Sequence, residues 1–180
     1  ILEPICEAKF SDRSNGFRPN RSAEHAIAQA YALMQKSNLH FVVDIDIKGF
    51  FDNVNHSKLI KQMWNMGIQD KKLLCVIKEM LKAPIVLPNG DTIYPQKGTP
   101  QGGIISPTLA NMCLNGLETG LIAHLCARFG KTKAAKLKVY VVRYADDFVI
   151  TGSSKDLLET EVRPWIETLL AQRGLELSPA

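Results

Sequence analysis

Among the residues able to do chemistry, two groups of aspartates carry the strongest signal. Asp44 and Asp46 interrupt the apolar run "HFVVDIDI" at positions 40–47, and Asp146 and Asp147 sit side by side inside "KVYVVRYADDFVITG". Adjacent carboxylates repel, and a charge on a strand is costly to bury unless it is paired or bound to metal. Asp44 and Asp46 are two residues apart, so on a strand they share a face. If the 146–147 pair lies at a turn converging on the end of that strand, three carboxylates from two strands make an oxygen-rich site. Such a site suits Mg2+, a hard cation. Two such ions about 4 Å apart can activate a hydroxyl and stabilise a leaving pyrophosphate. Plainer readings stay open. Aspartate favours turns whatever its neighbours, and a strand aspartate can stand exposed or pair with Lys48 or Arg143.

The elements that must position these residues follow from local patterns. Residues 9–22, "KFSDRSNGFRPNRS", are polar with Gly and Pro and read as a loop. Ser22 is placed to cap the helix "AEHAIAQAYALMQKS", with Glu24 in its first turn. Residues 40–47 are β-branched, short and apolar, which predicts a strand. "HSKLIKQMWNMG" and "DKKLLCVIKEMLKA" have helical spacing, split at Gly67, with Asp70 as N-cap. Asn89-Gly90 between short apolar pieces signals a hairpin. "QKGTPQGGIIS" is a Gly-rich loop, after which Ser106 is expected to cap one long helix, with Pro107 at its first position, ending at Gly130. A hairpin turning at Ala145–Asp146 follows, then a helix from about Lys155 to Arg173. Strands and helices alternate without a regular βαβ run. The expected class is α+β, a small antiparallel sheet with helices against one face.

The chain has 180 residues, 46% apolar and 22% charged, which suits one globular domain with room for a small subdomain. No apolar run approaches the ~20 residues of a bilayer span, and no signal peptide is evident. The reading is therefore an intracellular protein, cytoplasmic or organellar, with no membrane partner. The first and last residues read as the interior of a longer polypeptide. Cys6, Cys75, Cys113 and Cys126 form no C-x-x-C pair, so free buried thiols are expected rather than zinc or disulfides. A net charge of +4 is compatible with nucleic acid.

Four blocks in order resemble a known family: "GFRPNRSAEHAI" (16–27), "DIDIKGFFDNVNH" (44–56), "QKGTPQGGIISPTLANMCLN" (96–115) and "YADD" (144–147). Together they are similar to reverse transcriptases encoded by group II introns, the maturases. The resemblance implies a right-hand polymerase core, with residues 1–40 in the fingers and 41–180 in the palm, and a fingers insertion near 70–100. Thumb and C-terminal domains have no counterpart in this sequence. It implies DNA synthesis templated by RNA or DNA with Mg2+, using an RNA template, a DNA primer and deoxynucleoside triphosphates. Group II intron RNA is the implied partner for splicing and retrohoming, and a homodimer is left open.

Residue by residue, the resemblance makes Asp46, Asp146 and Asp147 the catalytic metal ligands and leaves Asp44 without a role. Phe51, with Phe50 as second choice, would pack beneath the sugar and exclude a 2′-hydroxyl. Arg18 would bind the triphosphate, where a planar fork suits phosphate. Gln101 and Ile47 would lie near the nucleotide. Arg21, Lys9, Gly102 and Tyr144 would contact template or RNA, although a solvated loop charge is the plainer reading for Arg21 and Lys9. A different class of function is also weighed, an intron-RNA-binding splicing factor that keeps polymerase residues without needing them. Its RNA platform would include Lys58, Lys61, Lys71, Lys72 and Lys78, which equally read as a solvated helix surface.

Overall fold

The structure, a computed structural model, describes residues 2–37, 41–100 and 102–178. In chain order its elements are α1 (Leu2–Glu7), α2 (Ala23–Ser37), β1 (Phe41–Ile45), α3 (Phe50–Asn53), α4 (His56–Asn65) and α5 (Lys71–Lys82). The hairpin β2 (Ile85–Val86) and β3 (Thr92–Ile93) follows, then α6 (Ser106–Leu114), α7 (Leu117–Phe129), α8 (Lys131–Lys136), β4 (Tyr140–Tyr144) and β5 (Asp147–Gly152). The last helical stretch is α9 (Lys155–Leu157), a π turn at Leu158–Val162, and α10 (Arg163–Arg173). β1, β5 and β4 form an antiparallel sheet in that order.

The alternation of strands and helices yields the expected α+β architecture. Ile45, Val141, Phe148 and Ile150 of the sheet share one core with Leu59 and Met63 of α4, Ile77 of α5, Leu109 and Met112 of α6, Leu121 and Leu125 of α7, and Ile166 and Leu170 of α10. Apolar positions at helical spacing create these stripes. Asp70 caps α5 as expected, accepting from the Lys72 and Leu73 N–H groups. Asn55 caps α4 by accepting from Lys58 N. Asn89 and Gly90 turn the small hairpin, with Gly90 at φ 90°. Among the described residues no helix is long and apolar enough to cross a membrane.

Several expectations need correction. β1 ends at Ile45 because its partner β5 begins at Asp147, and pairing stops at Ile45–Phe148. Asp46 and Ile47 therefore lie just past the strand, where residues 46–48 pair with 176–178 through Lys48 N to Glu176 O and Ser178 N to Asp46 O, both 3.0 Å. The single helix expected from Ser106 to Phe129 is two helices. Asn115 turns extended, Gly116 takes φ 82°, and Arg173 donates to the carbonyls of Cys113 (2.6 Å) and Asn115 (2.9 Å) left open by the break. Ser106 does not cap α6; its hydroxyl donates to Pro100 O inside the preceding loop. The final helix is interrupted by the π turn, where Arg163 N reaches Leu158 O and Pro164 has no N–H for the usual bond. Of the free cysteines, Cys6 and Cys113 are buried, with thiols pushed up to about 11 by burial, whereas Cys75 is exposed and Cys126 half-buried.

Candidate active site

The parity of the sheet sorts its polar residues. The register pairs Tyr144 with Asp147, Arg143 with Phe148, Asp44 with Val149 and Ile45 with Phe148. Alternation along each strand then places Arg143, Phe148 and Ile45 on the core face and Tyr144, Asp147 and Asp44 on the outer face. Continued by one residue, the register sets Asp46 opposite Asp147. Ala145 and Asp146 form the tight turn between β4 and β5, with Ala145 at φ 57°. The outer face thus gathers Asp44, Asp46 and Asp147 at the end of the sheet, with Asp146 in the adjoining turn. Asp44, Asp46 and Asp147 are exposed and Asp146 is half-buried.

Arg163 lines the same cavity as Asp44 and Asp46 but pairs with Glu167. None of the four carboxylates forms an ion pair among the described residues. Arg143, considered as a partner for the strand aspartates, is on the opposite face. Asp46 instead accepts a hydrogen bond from Ser178 Oγ at 2.7 Å. The Asp147 carboxyl is held above the usual aspartate range, first by partial burial and then by the negative charges of Asp146, Asp46 and Asp44. Like charges so placed favour any arriving cation. Among the described residues no three side chains close into a preformed metal cluster. The donor set nevertheless fits a hard divalent cation, because it consists of anionic oxygens, none of them held in an ion pair among the described residues.

The loop leading towards the Gly-rich segment is fastened to α3 and the start of α4. Gly98 N donates to Val54 O and Thr99 N to Phe51 O, each at 2.7 Å. His56 Nε2 bonds Gly98 O at 2.6 Å. Gly98 has φ 85°, and a Cβ there would fall 2.9 Å from Asp52 O, so only glycine fits. Phe51 is half-buried and meets Phe17 edge-on at 6.0 Å and Phe50 at 5.4 Å. Phe50 is a core residue, 2% exposed. Phe51 is therefore the ring that can face a ligand.

The other residues singled out in the sequence are distributed unevenly. Tyr144 is exposed on the outer face beside Asp147. Gly102 is exposed at φ 83° with open space around it, whereas Gly103 is held by packing, a Cβ there lying 2.7 Å from Ser106 Oγ. Gln101 lies outside the described residues. Ile47 is buried in the core and presents no side chain to a nucleotide. Arg18 does not face open solvent or the carboxylates. Its guanidinium is buried, forks onto Glu7 at 2.9–3.0 Å, and donates to Ser11 O and Ser14 O at 2.5 and 2.7 Å. Four of its five N–H groups are spent on the protein itself, so the expected triphosphate contact is not met by this geometry. Arg21 pairs with Asp12 on the surface. Lys9 is exposed, with its Nζ directed towards Gly67. Of the proposed lysine platform, Lys58 caps α10 through Ala171 O, and Lys61, Lys71, Lys72 and Lys78 are solvent-exposed.

Sequence reading passed over a polar cluster on the core face. Ser14, Asn111 and Arg143 are each 6% exposed or less, and Arg143 donates to both of the others. The signal was available, since Asn111 and Arg143 are polar residues inside the apolar runs "SPTLANMCL" and "YVVRY".

Comparison with known proteins agrees with this geometry. The reverse transcriptase (RNA-dependent DNA polymerase) family matches residues 1–180. The group II intron-encoded protein LtrA of Lactococcus lactis subsp. cremoris is 42% identical over 118 residues, covering 66% of this chain and 19% of that protein. An uncharacterized 91 kDa protein in the cob intron of Schizosaccharomyces pombe is 36% identical, covering 99% of this chain and 27% of that one. The chain thus spans about a fifth to a quarter of the length of these relatives. Among solved structures, the apo telomerase of Candida tropicalis, truncated of its C-terminal domain, superposes with a TM-score of 0.66 over 98% of this chain and 38% of its own, at 15% identity. The fold is shared at a level of identity too low to carry more than the fold. The chain belongs to the reverse transcriptase family, the RNA-dependent DNA polymerases.

Proposed function

We propose that the chain is the fingers-and-palm portion of an RNA-directed DNA polymerase of the group II intron type. Residues 1–40 belong to the fingers and 41–180 to the palm, with 70–100 a fingers insertion. The observation that carries this reading is the outer face of the sheet, where Asp46 falls opposite Asp147 and Asp146 adjoins them in the turn. Asp46, Asp146 and Asp147 are the residues to hold divalent metal, with Mg2+ the ion of choice; when bound, it activates the primer 3′-hydroxyl and stabilises the leaving pyrophosphate.

The protein's own contribution is positioning. Phe51, backed by Phe17 and Phe50, offers a ring wall that leaves a deoxyribose room and crowds a 2′-hydroxyl. Tyr144 lies on the same face as Asp147 and would contact the template from there. Ser178 orients Asp46 through its hydroxyl. The substrates are an RNA template, a DNA primer and deoxynucleoside triphosphates, and the intron type, supported by the resemblance to group II intron-encoded proteins, adds intron RNA as partner.

The test is primer extension on an RNA template with Mg2+, using the longest natural polypeptide that carries this chain, beside the Asp146→Ala/Asp147→Ala double variant. Extension by the wild type and its loss, by roughly a thousandfold or more, in the double variant is the expected result. Failure of both proteins to extend, with tight binding to folded intron RNA and promotion of its splicing, would replace the polymerase by a splicing platform.

A further inference from the structure

Arg143 occupies an unusual place. It lies in β4 on the core side of the sheet, 6% exposed, and pairs with no carboxylate among the described residues. A buried cation without a counter-ion is retained only where hydrogen bonds make good its lost hydration. Here neutral groups do so. Arg143 Nη1 donates to Asn111 Oδ1 at 2.9 Å and to Ala145 O at 2.6 Å, and Nη2 donates to Ser14 Oγ at 2.6 Å. Burial, with the neighbouring Arg18 and Arg173 cations, pushes the guanidinium down to about 10, so it stays charged at neutral pH.

Two of the acceptors come from remote parts of the chain and the third from the adjoining turn. Ser14 is in the loop before α2, Asn111 is in α6, and Ala145 is the turn residue immediately before Asp146. Asn111 in turn donates to Gly16 O at 2.9 Å. The loop also runs beside β4 as an extra parallel bridge, with Arg143 N donating to Arg13 O and Asn15 N to Arg143 O. Gly16 presses on the turn so closely that a Cβ there would collide with Ala145 N and lie 2.8 Å from Ala145 Cα. Ala145 itself adopts φ 57°, a conformation its Cβ disfavours. A strained residue of this kind persists only where its surroundings over-determine it.

We propose that Arg143 is a positioning residue which, with Asn111 and Ser14, clamps the Ala145 carbonyl from beneath the sheet and so fixes the aim of Asp146 and Asp147. The clamp makes the loop at 13–16 part of the catalytic turn's support. Only a planar fork can serve the three acceptors together; a lysine ammonium keeps the charge but lacks that geometry. The inference rests on the polymerase reading for its kinetic consequence, not for the clamp itself.

The experiment compares wild type, Arg143→Lys and the milder Ser14→Ala in the longest natural polypeptide carrying this chain. Single-nucleotide incorporation on an RNA template gives kcat and KM, and amide hydrogen exchange is followed at residues 144–148 and, as a control, in α4 and α5. The expected result for Arg143→Lys is a kcat lower by roughly 10- to 100-fold with KM within about threefold, because misplacing a reacting group slows chemistry more than binding. Exchange should quicken in the turn and stay unchanged in the control helices. Ser14→Ala should move both readouts the same way by less, and it carries the test if Arg143→Lys does not fold. An unchanged kcat, or exchange that rises equally in turn and helices, overturns the proposal and leaves Arg143 with a merely structural role. If the folded wild type incorporates nothing, the polymerase reading fails, and exchange alone decides the clamp: turn-selective loosening upholds it and its absence overturns it.

Discussion

The two faces of the small sheet solve opposite electrostatic problems. The outer face leaves Asp44, Asp46 and Asp147 exposed with no ion pair among the described residues, and partial burial together with the neighbouring carboxylates raises the Asp147 carboxyl above its usual range. The core face buries the Arg143 cation against neutral oxygens. One residue of strand parity separates the two arrangements, since Arg143 and Tyr144 are neighbours in β4. The difference shows how a turn can be both rigid and reactive. Its support is completed within the protein, whereas its carboxylates are left incomplete and call for a ligand.

The comparison can be broken most forcefully at the two adjacent phenylalanines. Phe50 belongs to the core, and Phe50→Ala should cost about 3–5 kcal/mol of stability, read as a fall in the thermal or denaturant midpoint. Phe51→Ala should cost less and instead let ribonucleotides into the product, measured by incorporation of ribo- against deoxynucleotides. Unchanged sugar discrimination in Phe51→Ala, with relaxation in Phe50→Ala, would shift the gate by one residue.

A smaller effect is expected where the loop presses on the turn. Gly16→Ala should destabilise by about 1–3 kcal/mol through overpacking against Ala145. A wild-type midpoint would show that residues 13–16 do not brace the turn.

The smallest effect sharpens the outer face. With its carboxyl raised, folded Asp147 holds a proton more tightly than it does in the unfolded chain. Its contribution therefore favours folding at low pH and is lost as pH rises above the ordinary aspartate value. Asp147→Asn should flatten that decline and give a slightly higher melting temperature at neutral pH without divalent metal, the gain being small because the group is exposed to solvent. Added Mg2+ should raise the melting temperature of the wild type more than that of the variant, by linkage. A lower melting temperature for Asp147→Asn in metal-free buffer would reveal a favourable contact of the carboxylate instead.

Local signals made much of this legible. The turn at Ala145–Asp146, the Asn89–Gly90 hairpin and the Asp70 cap follow from residues adjacent in sequence, and the structure has each of them. Features made by distant partners were not legible. Arg18 reads as a free cation in "GFRPNRS" until Glu7 and the carbonyls of Ser11 and Ser14 are seen to enclose it. The break after α6 has a local trace in Asn115-Gly116, but the open carbonyls there are satisfied by Arg173, nearly sixty residues on. The carboxylate face was legible because strand parity is local, and the clamp beneath it was not because two of its three anchors, Ser14 and Asn111, lie 129 and 32 residues from Arg143.

The central claim is that the sheet register, continued past β1, joins Asp46 and not Asp44 to the pair in the turn. It is tested most directly by single-nucleotide incorporation on an RNA template for Asp44→Asn beside Asp46→Asn. The account predicts a rate within about threefold of wild type for Asp44→Asn and a loss of roughly a thousandfold for Asp46→Asn. Equal losses, or the larger loss at Asp44, would contradict the register and with it the assignment of the catalytic face.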